Sequence, residues 1–336
     1  MTSTLPSDHD TDAGASLDQR IAAVMQLGGR ITWREIGNVL GVSESTVARR
    51  ARAMLATGVV RTTALIEPLR CGLGRPVFVQ LVCSPVRTAR VADELAQRSD
   101  ARLVVIATGS ADIVAELIVG SRDELARVLV DEIGVIPGVV QTATQKVLRT
   151  FKIAFDWSRP LLQGYQVPPP PPIDVHRAAG LVSLDALDLS LIDELGRDAR
   201  RSYQDLALAV GVSESAARRR VESLLASGVM TTVTLVDPPF LGYAVEVFLF
   251  LRVELARLEE VASSLAARPE VRLLSATSGR ADLMGEVILR SEEDLYHFRT
   301  HVLGSLPGIR EVEMSAELRT VKRAYLLEKA RGDGGR

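Results

Sequence analysis

The stretch GVSESTVARRARAMLATGVV at 41–60 returns as GVSESAARRRVESLLASGVM at 211–230, with eleven of the twenty positions identical. The same offset of 170 carries Leu17-Asp18 onto Leu187-Asp188 and Val77-Phe78 onto Val247-Phe248. It also lays Gly109, Ala111, Asp112 and Glu116 on Gly279, Ala281, Asp282 and Glu286, and Pro137-Gly138 on Pro307-Gly308. Leu148-Arg149-Thr150 and Lys152 meet Leu318-Arg319-Thr320 and Lys322. An ungapped register of that length is a duplication, and its period is far longer than a solenoid repeat, so each copy must carry its own core.

Between the copies runs Pro168 to Pro172, a polyproline stretch that favours a stiff, extended chain over packing. It places a linker at 153–183 whose near end docks through Phe155 and Trp157, with polar tails at 1–15 and 329–336.

Each copy opens with an apolar-periodic helix, Leu17 to Leu27 and Leu187 to Leu195. A second helix starts at a capping box, Thr32 with Glu35 and Ser202 with Asp205, and stops at Gly41 or Gly211. Val42 or Val212 plugs the corner, and Ser43 or Ser213 caps a third helix. Val47, Ala51 and Leu55 make the inward stripe of that helix, which leaves Ser45, Thr46, Arg49 and Arg50 outward. A short helix, a glycine turn and a capped basic helix form the geometry that enters a DNA major groove. Its short hydroxyls suit base edges and phosphates, and its arginines suit guanine or phosphate. The candidate DNA-binding residues are Ser43, Ser45, Thr46, Arg49 and Arg50, and Ser213, Ser215, Arg218, Arg219 and Arg220. A bland alternative is a plain three-helix core with a solvated arginine face; the second copy and a β-prone run after each (Val59–Ile66, Val229–Val236) weigh against it. The helix-turn-helix units span 16–62 and 184–232.

The two units are unequal in charge. Residues 17–62 hold seven arginines against three acids, net +4, whereas 187–232 hold six against seven, net −1. The first should hold phosphate more strongly, although the chain as a whole, at −2, carries no basic excess.

After each exit strand the pattern reads β (Val77–Val82, Val247–Val253), helix, β (Arg102–Ala107, Arg272–Ala276), tight turn, β (Ile113–Val119, Leu283–Leu289), helix and a last strand beyond Pro-Gly. That is βαββαβ, a ferredoxin-like sandwich over 63–152 and 233–328, with helices on one sheet face and the other face in need of a partner. The fold class is therefore α+β: two winged helix-turn-helix domains, each followed by a ferredoxin-like domain.

In these residues the chain resembles the Lrp/AsnC, or feast/famine, transcriptional regulators, over nearly its whole length and twice. The resemblance implies a sequence-specific regulator whose partners are double-stranded DNA, further copies of itself in a homo-oligomer, and a small effector such as an amino acid. It also implies effector binding near the GSAD and GRAD turns, at Gly109, Asp112, Gly279 and Asp282. Glycine and aspartate equally serve as plain hairpin residues. Most members carry one copy per chain, which leaves assembly and half-site geometry open. The fused siroheme decarboxylases also look like this family, and they need His and Arg side chains for a tetrapyrrole. Here His9 falls in the tail and His176 in the linker, while His297 and His301 sit opposite the buried face set by Leu295, Phe298 and Val302. With no third ligand, nucleophile–base pair or phosphate loop in view, the expectation is no enzyme, no metal and no cofactor. Two cysteines, Cys71 and Cys83, make neither a metal spacing nor a disulfide framework, and no window is apolar enough to span a membrane, so a cytoplasmic home is expected.

Overall fold

The computed structural model describes residues 15–169 and 181–328; most of the proline run and nearly all of both tails lie outside them. The first copy supplies α1 (Leu17–Met25), α2 (Trp33–Leu40), α3 (Glu44–Thr57), β1 (Val60–Ile66), β2 (Arg75–Cys83), α4 (Thr88–Ala96), β3 (Ala101–Ala107), β4 (Ile113–Val119), α5 (Arg122–Arg127) and β5 (Val139–Ile153). The second supplies α6 (Ala186–Arg197), α7 (Tyr203–Val210), α8 (Glu214–Ala226), β6 (Met230–Val236), β7 (Val245–Val253), α9 (Leu258–Ala266), β8 (Val271–Thr277), β9 (Leu283–Leu289), α10 (Glu292–His297) and β10 (Ile309–Arg323). A two-residue strand, β11 (Leu326–Leu327), folds back on the end of β10.

The uncovered sheet faces meet each other within the chain. Their union is tighter than two sheets laid together, because the last strand of each copy is shared. At 15 residues, β5 is about 50 Å long, more than one sheet of this size can use. Its first half pairs with β2 of its own copy, and Val147 to Ile153 pair with β8 of the other. β10 repeats this, with β7 first and β3 afterwards. Register shifts at Val147/Arg149 and Glu317/Arg319 mark the bends where each strand changes sheet. The strand order β10-β3-β4-β2-β5-β8-β9-β7 closes on itself through the β7–β10 pairing. An eight-stranded barrel results, with no free edge among these strands. Phe78 and Phe248, at matching positions of the repeat, are fully buried in its centre with Val105, Val114, Phe250 and Met284. Burial of each phenylalanine stabilises the fold by about 1.5–3 kcal/mol. Helices α4 and α5 cover one outer face, α9 and α10 the other.

The exit strands β1 and β6 also pair with each other, in a register centred on Thr63↔Val233, two residues 170 apart. The pseudo-twofold axis therefore passes through that pair. The segment after β5 folds onto the first helix-turn-helix: Trp157 and Leu162 enter its core, and Arg20 donates to the Tyr165 hydroxyl at 3.0 Å. Phe155 packs beside its repeat-mate Tyr325 under the exit strands.

Candidate nucleic-acid interface

Local chemistry builds the two readers as the residues demand. Thr32 caps α2 and Glu35 returns the bond to the Thr32 backbone N–H at 2.7 Å; the bonds it accepts from the Thr32 hydroxyl and backbone hold the Glu35 carboxyl below its ordinary range. In the second copy Ser202 caps α7, but Asp205, one methylene shorter, bonds the Ser202 hydroxyl and not the backbone, so the box is half made. Gly41 and Gly211 take φ of 68° and 73°, the left-handed corner that lets the third helix swing away. Ser43 and Ser213 then cap α3 and α8 through the N–H groups of Thr46 and Ala216, each at 3.3 Å.

On α3, Val47, Ala48, Ala51 and Met54 are buried, while Ser43, Ser45 and Arg49 are exposed and Thr46 is half-buried. Arg50 departs from the expected outward position. Three residues after Val47 it falls on the flank of the buried stripe, where Asp18 of α1 accepts its hydrogen bond at 2.8 Å. Its repeat-mate Arg220 likewise reaches Asp185 at 2.8 Å and Asp188 at 3.3 Å. Arg218 and Arg219, like Ser213 and Ser215, are exposed, with Arg218 standing over the Tyr203 ring at 4.7 Å. Among the described residues neither Arg49 nor Arg219 makes an ion pair.

What fixes the readers relative to one another is a contact that the sequence reading missed. Arg30 lies over Tyr203 at 4.8 Å and donates to the Ala199 and Arg201 carbonyls. Arg200 lies over Trp33 at 3.7 Å and donates to the Gly29 and Ile31 carbonyls at 3.2 and 2.9 Å. These are the same contact made twice, since 30 and 200, and 33 and 203, are repeat-mates. Burial and the nearby Arg30 push the Arg200 guanidinium down to about 10. Beneath the clasp, Gly29 and Ala199 each donate a backbone N–H to the other copy's exit strand.

At the far end of the barrel, the carboxylates of Asp112 and Asp282 accept backbone N–H groups of Cys83 and Val253 at 2.7 and 2.9 Å. Gly109 and Gly279, at φ of 98° and 121°, run close against the long strand of the opposite copy. A side chain at Gly109 would come within 2.7 Å of the Ser315 hydroxyl. Both residue types thus have a structural task at the turn. The two turns share a recess of about 60 Å³ lined by Gln80, Val82, Ser110, Gln141 and Arg280.

Between the readers and the barrel lies a cavity of about 1830 Å³, and its wall carries a second feature absent from the sequence reading. Arg272 and Arg323 bind Glu246, Glu286 and Glu317, whose carboxylate oxygens lie within 4.8 Å of one another. Against the cost of burial, Arg272 and Arg323 hold the Glu286 carboxyl well below its usual range. Burial and Glu286 push Glu317 well above it. The first copy repeats only the pair Arg102–Glu116; Pro76, Val147 and Ile153 stand where Glu246, Glu317 and Arg323 are. A charged pair repeated within otherwise apolar strands was the available signal. His297 and His301 are exposed, their rings stacked 4.4 Å apart. No helix among the described residues is long and apolar enough to cross a membrane.

Comparison with known proteins agrees with this architecture. The AsnC-type helix-turn-helix domain matches residues 16–55 and 184–225, and the Lrp/AsnC ligand binding domain matches 76–156 and 246–327. The chain is 37% identical over 129 residues to an uncharacterized HTH-type transcriptional regulator of Pyrococcus furiosus, covering 38% of this chain and 87% of that one. It is 31% identical over 142 residues to the HTH-type transcriptional regulator FL11 of Pyrococcus horikoshii, covering 42% of this chain and 93% of the relative. The chain belongs to the Lrp/AsnC family of transcriptional regulators and carries its two domains in tandem duplicate. The crystal structure of the siroheme decarboxylase NirDL matches over 91% of this chain and 92% of that one, with a TM-score of 0.58. At 12% identity, that likeness concerns the fold alone.

Proposed function

We propose that this chain regulates transcription by laying α3 and α8 together on one operator, with Arg49 and Arg219 as the principal DNA contacts and Ser43, Ser45, Thr46, Ser213 and Ser215 beside them. The observation that carries this reading is the pairing of two exposed, capped third helices about one pseudo-dyad within a single chain. Dimeric helix-turn-helix proteins reach two half-sites through the same kind of symmetry. Arg50, Arg218 and Arg220 then act mainly by holding the readers in shape. Acting on DNA, the protein works in the cytoplasm. A small effector, an amino acid being the kind expected, binds at the turns Gly109–Asp112 and Gly279–Asp282, where the recess beside Arg280 is completed by a second chain of a homo-oligomer. The regulator reading is better supported than a decarboxylase on the same fold, because the relatives above 30% identity are HTH-type regulators. Selection of genomic fragments on the purified chain, followed by footprinting, tests it. Recovery of discrete operators protected over two adjacent major grooves is expected; uniform retention of all fragments counts against it.

A further inference from the structure

The pseudo-dyad relates two readers whose backbones match and whose outward faces do not. Ser45, Arg49 and Arg52 stand at i, i+4 and i+7 on α3, one exposed face of the helix. Their repeat-mates on α8 are Ser215, Arg219 and Glu222, also exposed. The third position therefore changes from guanidinium to carboxylate. Beside it Thr46 becomes Ala216. On the second helices, which cross the phosphate backbone in such folds, exposed Arg34 and Asn38 have Gln204 and Leu208 as repeat-mates, the last of these 84% exposed.

These exchanges cannot be absorbed by movement of one reader. The double Arg–aromatic clasp and the seven-residue β1–β6 ladder fix both helices at once. Any DNA group that attracts Arg52 at one half-site repels Glu222 at the symmetric place of an identical half-site. A guanidinium suits a phosphate or the O6/N7 edge of guanine, whereas a carboxylate accepts from the cytosine amino group and is pushed from phosphate. Thr46 and Ala216 differ in the same sense, one able to donate a hydrogen bond and the other offering only a methyl group.

We propose that this chain is an oriented reader: its operator consists of two unlike half-sites, and the protein docks on it with one polarity, α3 always on the same half. Arg52 and Glu222 are the residues that set the polarity. A one-copy relative reads both half-sites with the same side chains and cannot make this distinction. The proposal rests on α3 and α8 being base-reading helices. It gives the barrel a defined direction along the DNA, so that α4 and α5 always face one flank and α9 and α10 the other.

The test uses the full-length chain at one fixed salt concentration. Duplexes randomised over about 30 base pairs are selected, and the recovered half-sites are rebuilt as three duplexes: first–second, first–first and second–second. The expected result is at least tenfold tighter binding to the first–second duplex than to either palindrome, since each mismatched base pair costs roughly five- to a hundredfold. The variant Glu222→Arg with Ala216→Thr gives α8 the α3 side chains at these two positions, which are exposed and half-exposed. It should bind the first–first duplex as tightly as the first–second one, or more so. Selection of a perfect inverted repeat by the wild-type chain, bound as well as any unlike pair, overturns the polarity and leaves the DNA-reader function standing. Recovery of no sequence above the random pool overturns both.

Discussion

The guanidinium of Arg200 lies 3.7 Å from the centre of the Trp33 ring, and the residues 170 positions before Arg200 and 170 after Trp33 repeat the contact, Arg30 over Tyr203. A half-buried cation over indole is worth up to about 2 kcal/mol, and its hydrogen bonds to carbonyls about 1.5–3 kcal/mol each in favourable cases. The clasp thus joins the two readers through two cation–aromatic contacts and four hydrogen bonds.

Arg200→Ala should destabilise the chain by about 2–4 kcal/mol and weaken operator binding more than binding of a single half-site. Arg200→Lys should rescue little, because ammonium has no planar face to lie on the ring. Urea unfolding, together with titrations of full and half operators, checks this. Equal losses on both DNAs would show that the clasp does not couple the readers.

Arg49 and Arg50 are neighbours with different work. Arg49→Ala is expected to cost about 1–3 kcal/mol of binding if it reads guanine, or to flatten the salt slope by about one if it touches phosphate. Arg50→Ala should instead cost stability, on the order of 0.5–1 kcal/mol, because its half-exposed pair with Asp18 is screened by solvent. Asp18→Ala should reproduce the Arg50 effect and add little to it in the double variant. A gel-shift series beside thermal unfolding separates the two, and an Arg49 variant with unchanged affinity removes it from the interface.

Much of this could be read before the structure. The offset of 170, the glycine corners at Gly41 and Gly211, and the serine caps all depend on neighbours within a few residues, so local chemistry fixes them. The order of strands followed from hydrophobic alternation. The sharing of β5 and β10 did not, because alternation says nothing of which sheet receives the far half of a strand. Arg30 and Arg200 were hidden for another reason: in a chain whose positive charge is nearly all arginine, no single arginine stands out. Arg50 misled because its exposure depends on Asp18, a residue 32 positions away on another helix.

Asp112→Ala removes the acceptor of the Cys83 N–H and should cost about 1–2 kcal/mol of stability while leaving ligand-free DNA binding intact. Asp282→Ala should do the same through Val253. A thermal-shift screen over amino acids on the wild type and both variants tells whether the turns also sense an effector. A stabiliser that acts equally on all three proteins binds elsewhere.

The buried charges make opposite demands on pH. Glu317 is held above its usual range by burial and Glu286, so the stability it lends is complete below the unfolded carboxyl value of about 4.3 and drains away as pH rises through its folded value. Glu317→Gln imitates the protonated form and should therefore gain on the wild type between pH 4 and pH 8. Glu286 lies below its usual range, so its contribution is present above about pH 4.3 and lost as pH falls through its folded value. Glu286→Gln should cost about 3–5 kcal/mol at neutral pH by leaving Arg272 and Arg323 under-compensated. Denaturant midpoints of both variants at the two pH values are the measurement; a Glu317→Gln variant that loses ground as pH rises contradicts the assignment.

A protease site introduced between residues 173 and 180 should cut the chain without parting it. Each half keeps a long strand inside the other's sheet, and the fragments are expected to co-elute in native buffer and separate only in denaturant. Separate elution after cleavage would mean that the copies do not close a barrel within one chain.

Because β5 and β10 complete each other's sheets in cis, the unit that meets DNA needs no second chain to complete it. A reader pair built from two one-copy chains must form by association, so its amount depends on chain concentration more steeply than in proportion. Here both readers come with one chain, so at low occupancy its binding to an operator should rise in first order with its own abundance.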